Sequence, residues 1–180
     1  MNNSGKVALC GIITALCLIM MILTEFISIG TYALPMLAGM LLLITAKELE
    51  PKWSWMVFAA ASILSIFFVV DKEAVFFFVL FFGYYPVLKT QIERLKLALV
   101  QYILKFCTFN AAMVAFFYSS IFVLKIPKAS FVVFGQYLPG ILLIIANLVF
   151  ILYDKVLART TAIYVCRWRR KVRKILNLKD

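Results

Sequence analysis

The residues of this chain that could do chemistry are few, and their pattern excludes most catalytic mechanisms. No His occurs among the 180 residues, which removes imidazole as a general base or a metal ligand. The four cysteines have neither C-x-x-C spacing nor a pairing pattern, so they indicate no metal site and no disulfide framework. The sequence also has no H-E-x-x-H, G-x-S-x-G or Walker motif. We therefore predict that the protein is not an enzyme and has no catalytic residue, metal or cofactor.

Polar groups inside or beside long apolar segments form the predicted binding site. Each is a candidate for function, because an ionisable or amide group inside a bilayer is costly and rare. Carboxylates at the outer ends of the segments, a loop over residues 30–34 and amides deeper in the bundle predict an outward-facing cavity for a small molecule. The predicted substrate-binding residues are Glu25, Thr31, Tyr32, Asp71, Glu73, Asn110, Gln136, Tyr137 and Asn147.

Structural explanations stay open for several of these residues. A local ion pair in a tight turn accounts for Asp71-Lys72-Glu73 as well as a pocket rim does, and helix–helix hydrogen bonding accounts for the amides. Lys105 shares a helical face with Gln101 and lies ~12 Å beyond the inner boundary of its segment. It either snorkels inward, faces the bundle or faces a partner subunit.

The composition indicates that the chain lies in a membrane. Apolar residues make up 65% of the sequence, charged residues 15%, and the mean hydropathy is +1.02, far from the values of soluble domains. A soluble enzyme, a secreted disulfide-rich domain and a disordered chain are thereby excluded. The sequence predicts an all-α integral membrane protein, a bundle of about six transmembrane helices. The predicted spans are 7–29, 35–46, 53–70, 74–88, 97–124 and 131–157.

Two of these spans have alternatives. The first could be a signal peptide, because Lys6 precedes it and small residues follow it. The second is short, so it is either a tilted helix that recruits residues 31–34 or a partly re-entrant segment, which leaves five spans as an alternative count. Pro35 suits a first helical turn, whereas Pro86 and Pro139 should kink or end their helices.

Charge predicts the orientation of the bundle. With the N-terminus inside, 15 of the 19 Lys and Arg residues fall on the cytoplasmic side, three fall outside and Lys105 lies within a span. This asymmetry predicts a multi-pass protein of the cytoplasmic membrane with both termini in the cytoplasm.

The chain is predicted to divide into a transmembrane bundle over 1–157 and a basic cytoplasmic tail over 158–180. Apolar and basic residues of the tail segregate onto opposite helical faces, which predicts an amphipathic helix on an anionic lipid surface. A docking surface for a cytoplasmic partner is an alternative, and nucleic-acid binding is disfavoured because one aromatic accompanies the cations. The predicted membrane-surface residues are Arg167, Trp168, Arg169, Arg170, Lys171, Arg173 and Lys174.

The first span begins KVALCGIITAL, and Ala8, Gly11 and Ala15 form a small-residue face that lets another helix approach closely. Six short spans, this first helix and a short second span entered through a Tyr/Pro loop resemble the S components of bacterial energy-coupling-factor (ECF) vitamin transporters, over residues 5–157.

The resemblance implies a substrate-capturing subunit that binds a vitamin-like molecule from outside and lacks a nucleotide site. It would form a hetero-oligomer with a transmembrane coupling subunit and two ATPase subunits, and Ala8, Gly11 and Ala15 would face the coupling subunit. The chain is also similar to membrane subunits of the rod-shape-determining protein D type. That second resemblance implies a scaffold for a cell-wall or division complex that acts through helix packing and the basic tail.

Overall fold

The helices follow one another with short connections. The computed structural model describes residues 3–27, 30–122, 132–133, 136–137 and 139–169. Its α-helices are α1 (Asn3–Ile22), α2 (Gly30–Glu48), α3 (Pro51–Phe68), α4 (Lys72–Phe77), α5 (Tyr85–Ile92), α6 (Ala98–Phe122) and α7 (Pro139–Ile163). A 3-10 turn over Leu23–Glu25 follows α1, and π-helical segments over Phe78–Phe82 and Tyr164–Trp168 follow α4 and α7. Two short strands, β1 (Val132–Val133) and β2 (Gln136–Tyr137), pair antiparallel before α7.

Five stretches of the described chain are long and apolar enough to cross a membrane. They are Ser4–Glu25, Gly30–Glu48, Pro51–Phe68, Lys72–Ile92 and Ala98–Phe122. The predicted membrane-embedded helical protein is therefore confirmed at this level. Lys72–Ile92, which contains α4, its π-helical extension and α5, counts as one of these stretches. We call these five stretches and the 25-residue α7 the six passes of the described bundle, although α7 is not among the stretches that qualify as membrane-spanning.

The helix ends form two groups, which we call the basic end and the far end. The basic end comprises the ends of helices at Asn3, Glu48, Pro51, Ile92, Ala98 and Ile163. The far end comprises those at Glu25, Gly30, Phe68, Lys72, Phe122 and Pro139. Successive passes therefore run in opposite directions. A hydrogen bond from Lys6 to Glu50 at the basic end and one from Val70 to Glu25 at the far end agree with this grouping.

Periodic apolar residues explain how α1 joins the core. Leu9, Ile13, Cys17 and Met21 recur every fourth position and are buried, because that spacing gathers side chains on one helical face. This face packs with buried residues of α2, α3 and α4 into one apolar cluster. A second cluster joins α2, α6, α7 and the π-helical segment Phe78–Phe82, which is the one meant by the π-helical segment below. Its aromatic rings include Phe109 and Phe150, which stack with centroids 4.5 Å apart.

Gly39 on α2 permits the closest approach in the bundle. A Cβ placed there would lie 2.1 Å from the backbone carbonyl oxygen of Phe82, so only glycine lets α2 contact the π-helical segment at this point. Gly83 and Tyr84 then interrupt the fourth pass, and Pro86 enters α5 in its first turn. The break in the fourth pass directly before Pro86 agrees with the predicted kink. Pro139 begins α7, so the expectation that it kinks or ends a helix is wrong.

Three sequence-based expectations about the far end are wrong. Residues 30–34 form the first turn of α2 and are not a loop, so α2 is a full 19-residue helix; the alternative in which the second helix recruits residues 31–34 is correct. Pro35 consequently lies inside α2 and not in its first turn, and its missing N–H leaves the Thr31 carbonyl without its usual helical donor. Gln136 and Tyr137 lie in β2 and not in a membrane span.

Candidate functional site

The most polar site in the described residues is a buried group of charges at the basic end, where α5, α6 and α7 meet. We call Tyr85, Lys89, Glu93, Lys105 and Asp154 the charge cluster. Lys89 is 1% exposed and Lys105 is 6% exposed. Both ammonium groups therefore depend on protein partners, because a buried charge without a partner is strongly destabilising.

Asp154 of α7 is the centre of the charge cluster. Its Oδ1 accepts hydrogen bonds from Lys89 Nζ and from the Tyr85 hydroxyl, the latter at 2.7 Å. Its Oδ2 accepts from Lys105 Nζ at 3.1 Å, and its backbone carbonyl accepts from Lys89 Nζ at 3.1 Å. One carboxylate thus ties the fourth, fifth and sixth passes together.

Glu93 completes the charge balance. Its Oε1 lies 3.1 Å from Lys89 Nζ and 3.1 Å from Lys105 Nζ. Two ammonium groups therefore face two carboxylates, and Lys89 has three acceptors for its three hydrogens. The Glu93 side chain is 35% exposed and that of Asp154 is 19% exposed, so Glu93 is the most exposed of the carboxylates and lysines in the charge cluster.

Local sequence explains how these side chains come together. Tyr85, Lys89 and Glu93 recur at four-residue spacing, which places them on one face of α5 and the turn after it. Lys105 lies seven residues after the first residue of α6, or ~10 Å into the helix. The chain reverses between Ile92 and Ala98, so these two faces lie opposite each other.

Sequence reasoning identified only one member of the charge cluster. Lys105 faces the bundle, which selects one of the three orientations left open above. In the sequence, Tyr85 and Lys89 lie at the end of an apolar run, where side chains are commonly exposed at the membrane boundary, yet both are buried. The signals that could have found them are the i, i+4, i+8 spacing on α5 and a lone Asp154 beside an apolar segment.

The predicted substrate-binding residues do not form one cavity. At the far end, Glu25 Oε1 accepts a hydrogen bond from the Val70 backbone N–H at 2.7 Å. Asp71 caps α4 by accepting from the Ala74 N–H at 3.1 Å, and Lys72 caps α3 by donating to the carbonyls of Ile66 and Val69. In the described contacts, Asp71 and Lys72 therefore cap helices and do not form the ion pair that was an alternative explanation for Asp71-Lys72-Glu73.

Tyr32 and Glu73 also lie at the far end, and we call Glu25, Tyr32, Asp71 and Glu73 the far-end group. The exposed Tyr32 ring packs edge-on against Phe77 with centroids 5.2 Å apart. Thr31, one residue earlier in α2, is half-buried. Five of the predicted residues, Glu25, Thr31, Tyr32, Asp71 and Glu73, therefore share the far end, where they are exposed or half-buried and form no enclosed pocket.

Asn110 and Asn147 instead pair with each other in the middle of the bundle. Each amide nitrogen donates to the other amide oxygen, at 3.1 and 3.0 Å. Each also donates to the backbone carbonyl four residues earlier, at 2.8 Å. This reciprocal arrangement is the helix–helix hydrogen bonding that the sequence left as an alternative, and it commits both amides to the α6–α7 contact.

The small-residue face of α1 is unused within the described bundle. Ala8, Gly11 and Ala15 are all exposed, and a Cβ added at Gly11 would meet nothing within 4 Å. The opposite face of α1 provides the core residues described above. The described part of the chain therefore leaves these three residues uncovered.

The basic tail begins as a continuation of α7. The helix passes the predicted domain boundary at residue 157 without a break and continues as a π-helical segment to Trp168. Tyr164 and Arg169 donate to Glu48 Oε1 at 3.2 and 3.1 Å, so this part of the tail is held against the end of α2. Arg167 and Trp168 are exposed. The other predicted membrane-surface residues, Arg170, Lys171, Arg173 and Lys174, lie outside the described residues.

An apolar groove lies between α2 and the basic end of α7. We call it the α2–α7 groove; it has a volume of about 250 Å³ and is half-open. Methionines and aliphatic side chains of α1 and α2 form most of its lining, while Lys47, Thr160, Thr161 and Tyr164 lie toward the basic end.

Neither the charge cluster nor the far-end group is arranged to hold a metal, since no group of three or more metal-ligating residues occurs among the described residues. Comparison with protein-family models, with curated proteins and with solved structures gives no match for this chain. Functional inference therefore depends on the geometry described above.

Proposed function

We propose that this protein is a non-catalytic, six-pass subunit of the cytoplasmic membrane that acts by packing against another membrane protein, as a scaffold or assembly component. The observation that carries this proposal is the unused small-residue face of α1. Ala8, Gly11 and Ala15 are exposed along one side of a helix whose other side is buried in the core. In a membrane, such faces let two helix backbones approach closely and gain van der Waals contact.

The use of glycine elsewhere in the bundle supports this assignment. Gly39 and Gly83 are both required by internal packing, because a Cβ at either position would lie within 3 Å of a neighbouring atom. Gly11 has no such internal reason, although glycine inside a helix costs about 1 kcal/mol relative to alanine. We infer that glycine stands at position 11 because it lets a helix of another protein approach α1 closely.

The orientation of the bundle follows from its charges. Among the described residues, nine unburied cations lie at the basic end and Lys72 lies at the far end. The nine are Lys6, Lys47, Lys52, Arg94, Lys96, Lys155, Arg159, Arg167 and Arg169. Carboxylates balance the charges of Lys89 and Lys105 in the charge cluster. The excess of cations at the basic end remains when these two lysines are left out of the count. By the positive-inside rule the basic end, and with it both termini, faces the cytoplasm.

Replacement of Gly11 by Ile tests the packing proposal. We expect its partner to co-purify at least about tenfold less in mild detergent, equivalent to about 1.4 kcal/mol, because a branched side chain holds the helices apart. The thermal stability of the isolated chain should not fall, since a Cβ at Gly11 meets no atom of the bundle within 4 Å. Quantitative mass spectrometry of tagged protein purified from native membranes provides the measurement.

Ala115→Ile is the matched control, because Ala115 is also a small exposed residue on a spanning helix, α6. It should leave the set of co-purified proteins unchanged. Equal losses for both variants, or unchanged partners in Gly11→Ile, would contradict the proposal.

The far-end group favours a second candidate, a substrate-capturing subunit of an ATP-driven importer. Carboxylates of Glu25, Asp71 and Glu73 and the Tyr32 hydroxyl gather on the surface that would face outward. On this proposal a vitamin-like molecule with a basic group binds there, and a coupling subunit with its ATPases packs on the small-residue face of α1. The enclosing loop that this mechanism requires is not formed by residues 30–34, which is why we place it second.

A thermal-shift screen of the purified protein against B vitamins tests this second candidate. Sub-micromolar binding is expected for one compound, and Glu73→Gln should weaken it about tenfold by removing a charge-assisted hydrogen bond. Glu50→Gln at the opposite end is the control for charge loss, because the side chain of Glu50 is 66% exposed. Absence of binding across the panel, or equal loss in the control, would exclude substrate capture at this surface.

A further inference from the structure

The α2–α7 groove combines an apolar lining with a single cation at one end. Its walls come from Met20 of α1, from Leu37 to Ile44 of α2 and from the end of α7. At roughly 30 Å³ for a group the size of a water molecule, its volume of about 250 Å³ holds a segment of one hydrocarbon chain. It is smaller and more open than the pockets that enclose most small-molecule ligands.

Lys47 distinguishes the groove from an ordinary gap between helices. It lines the groove in the last turn of α2, and it makes no hydrogen bond or ion pair with any described residue. The lysines at positions 6, 89 and 105 at the same end all have carboxylate partners. A cation beside an apolar groove in a membrane-embedded protein is complementary to an anion with a hydrocarbon tail.

The wall formed by α7 is held in place by its own contacts. Tyr164 lines the groove and donates to Glu48 Oε1, and Arg169 donates to the same oxygen. The Glu48 side chain is fully buried, so it acts as an anchor between α2 and the end of α7. The groove is therefore a built feature, with a fixed wall on each side.

We propose that the α2–α7 groove binds one acyl chain of an anionic phospholipid from the surrounding leaflet, with the lipid phosphate at Lys47. The acyl chain enters the groove from the bilayer through the half-open side. In the groove it contacts the apolar lining in place of neighbouring lipid chains. Lys47 supplies the charge contact at headgroup depth, and the exposed Lys155 and Arg159 near the same end of α7 add to the local positive potential. The inference does not depend on the proposed function, because it needs only a chain embedded in a membrane.

Lipid binding by the full-length protein in detergent tests the proposal. Native mass spectrometry should show phosphatidylglycerol retained about fivefold more strongly than phosphatidylcholine of the same chain length, as expected for one cation near the surface. Lys47→Gln should abolish this preference. Lys52→Gln is the matched control, because Lys52 is an exposed lysine at the same end that does not line the groove, and it should retain the preference.

A second pair of variants tests the apolar part of the site. Thr160→Phe should fill the groove and lower retention of both lipids, whereas Ala162→Phe, on an exposed position of the same helix, should not. The proposal is wrong if Lys52→Gln removes the preference as fully as Lys47→Gln, or if Thr160→Phe leaves retention unchanged. It is also wrong if inorganic phosphate displaces the lipid at equal concentration, since the site would then recognise a free anion.

Discussion

Asp154→Asn is expected to lower the free energy of unfolding by about 3–5 kcal/mol, the range observed when one partner of a buried ion pair is removed. The substitution leaves Lys89 and Lys105 facing the single carboxylate of Glu93, and both lysines are almost fully buried. One positive charge then lies in the bundle without compensation. Unfolding of the purified protein in mixed SDS and mild-detergent micelles measures the loss.

A compensating substitution separates charge imbalance from loss of shape. Lys89→Met combined with Asp154→Asn leaves the pair between Lys105 and Glu93, so the double variant should recover at least half of the lost stability. Lys6→Met is the matched control, because its partner Glu50 is 66% exposed and such pairs contribute at most about 1 kcal/mol. A loss in Asp154→Asn no larger than in Lys6→Met would show that the charge cluster does not hold the passes together.

Gly39→Ala is expected to destabilise the protein by about 1–3 kcal/mol, the usual cost of adding a methyl group to a filled core. The added Cβ would lie 2.1 Å from the Phe82 carbonyl oxygen. Because that atom belongs to the backbone, no rotamer change relieves the contact, and α2 must move away from the π-helical segment.

Gly11→Ala gives the opposite expectation for the same chemical change. A Cβ at Gly11 meets no atom within 4 Å, so the higher helix propensity of alanine should raise stability by up to about 1 kcal/mol. Thermal unfolding of both variants in one detergent provides the comparison. Equal shifts for both substitutions would mean that the approach of α2 to Phe82 is not tight.

Much of the fold could be predicted because membrane spans are coded by apolar length alone. The five qualifying stretches overlap five predicted spans, and their ends differ by a few residues, since apolar runs do not reveal where capping occurs. The break at Pro86 followed from its missing N–H. Pro35 was expected in a first helical turn, but residues 30–34 extend α2 beyond it toward the far end.

The site was harder to predict because its members are distant in sequence. Lys105 could be selected from its cost inside a bilayer, but its partner Asp154 lies 49 residues later on another helix. Lys89 follows directly after an apolar run, so sequence alone places it in a loop. Asn110 and Asn147 could each be identified as polar, whereas their pairing depends on how α7 is rotated about its axis, which no local pattern specifies.

The position of Asp154 on α7 has a consequence for biosynthesis. When the ribosome has completed α5 and α6, the nascent chain contains both lysines of the charge cluster and only Glu93 to balance them. The later helix α7 adds the missing negative charge, and a carboxylate entering a membrane by itself costs about 2.5–3.5 kcal/mol. The charge cluster therefore becomes electrically neutral only when α7 has been synthesised and packed.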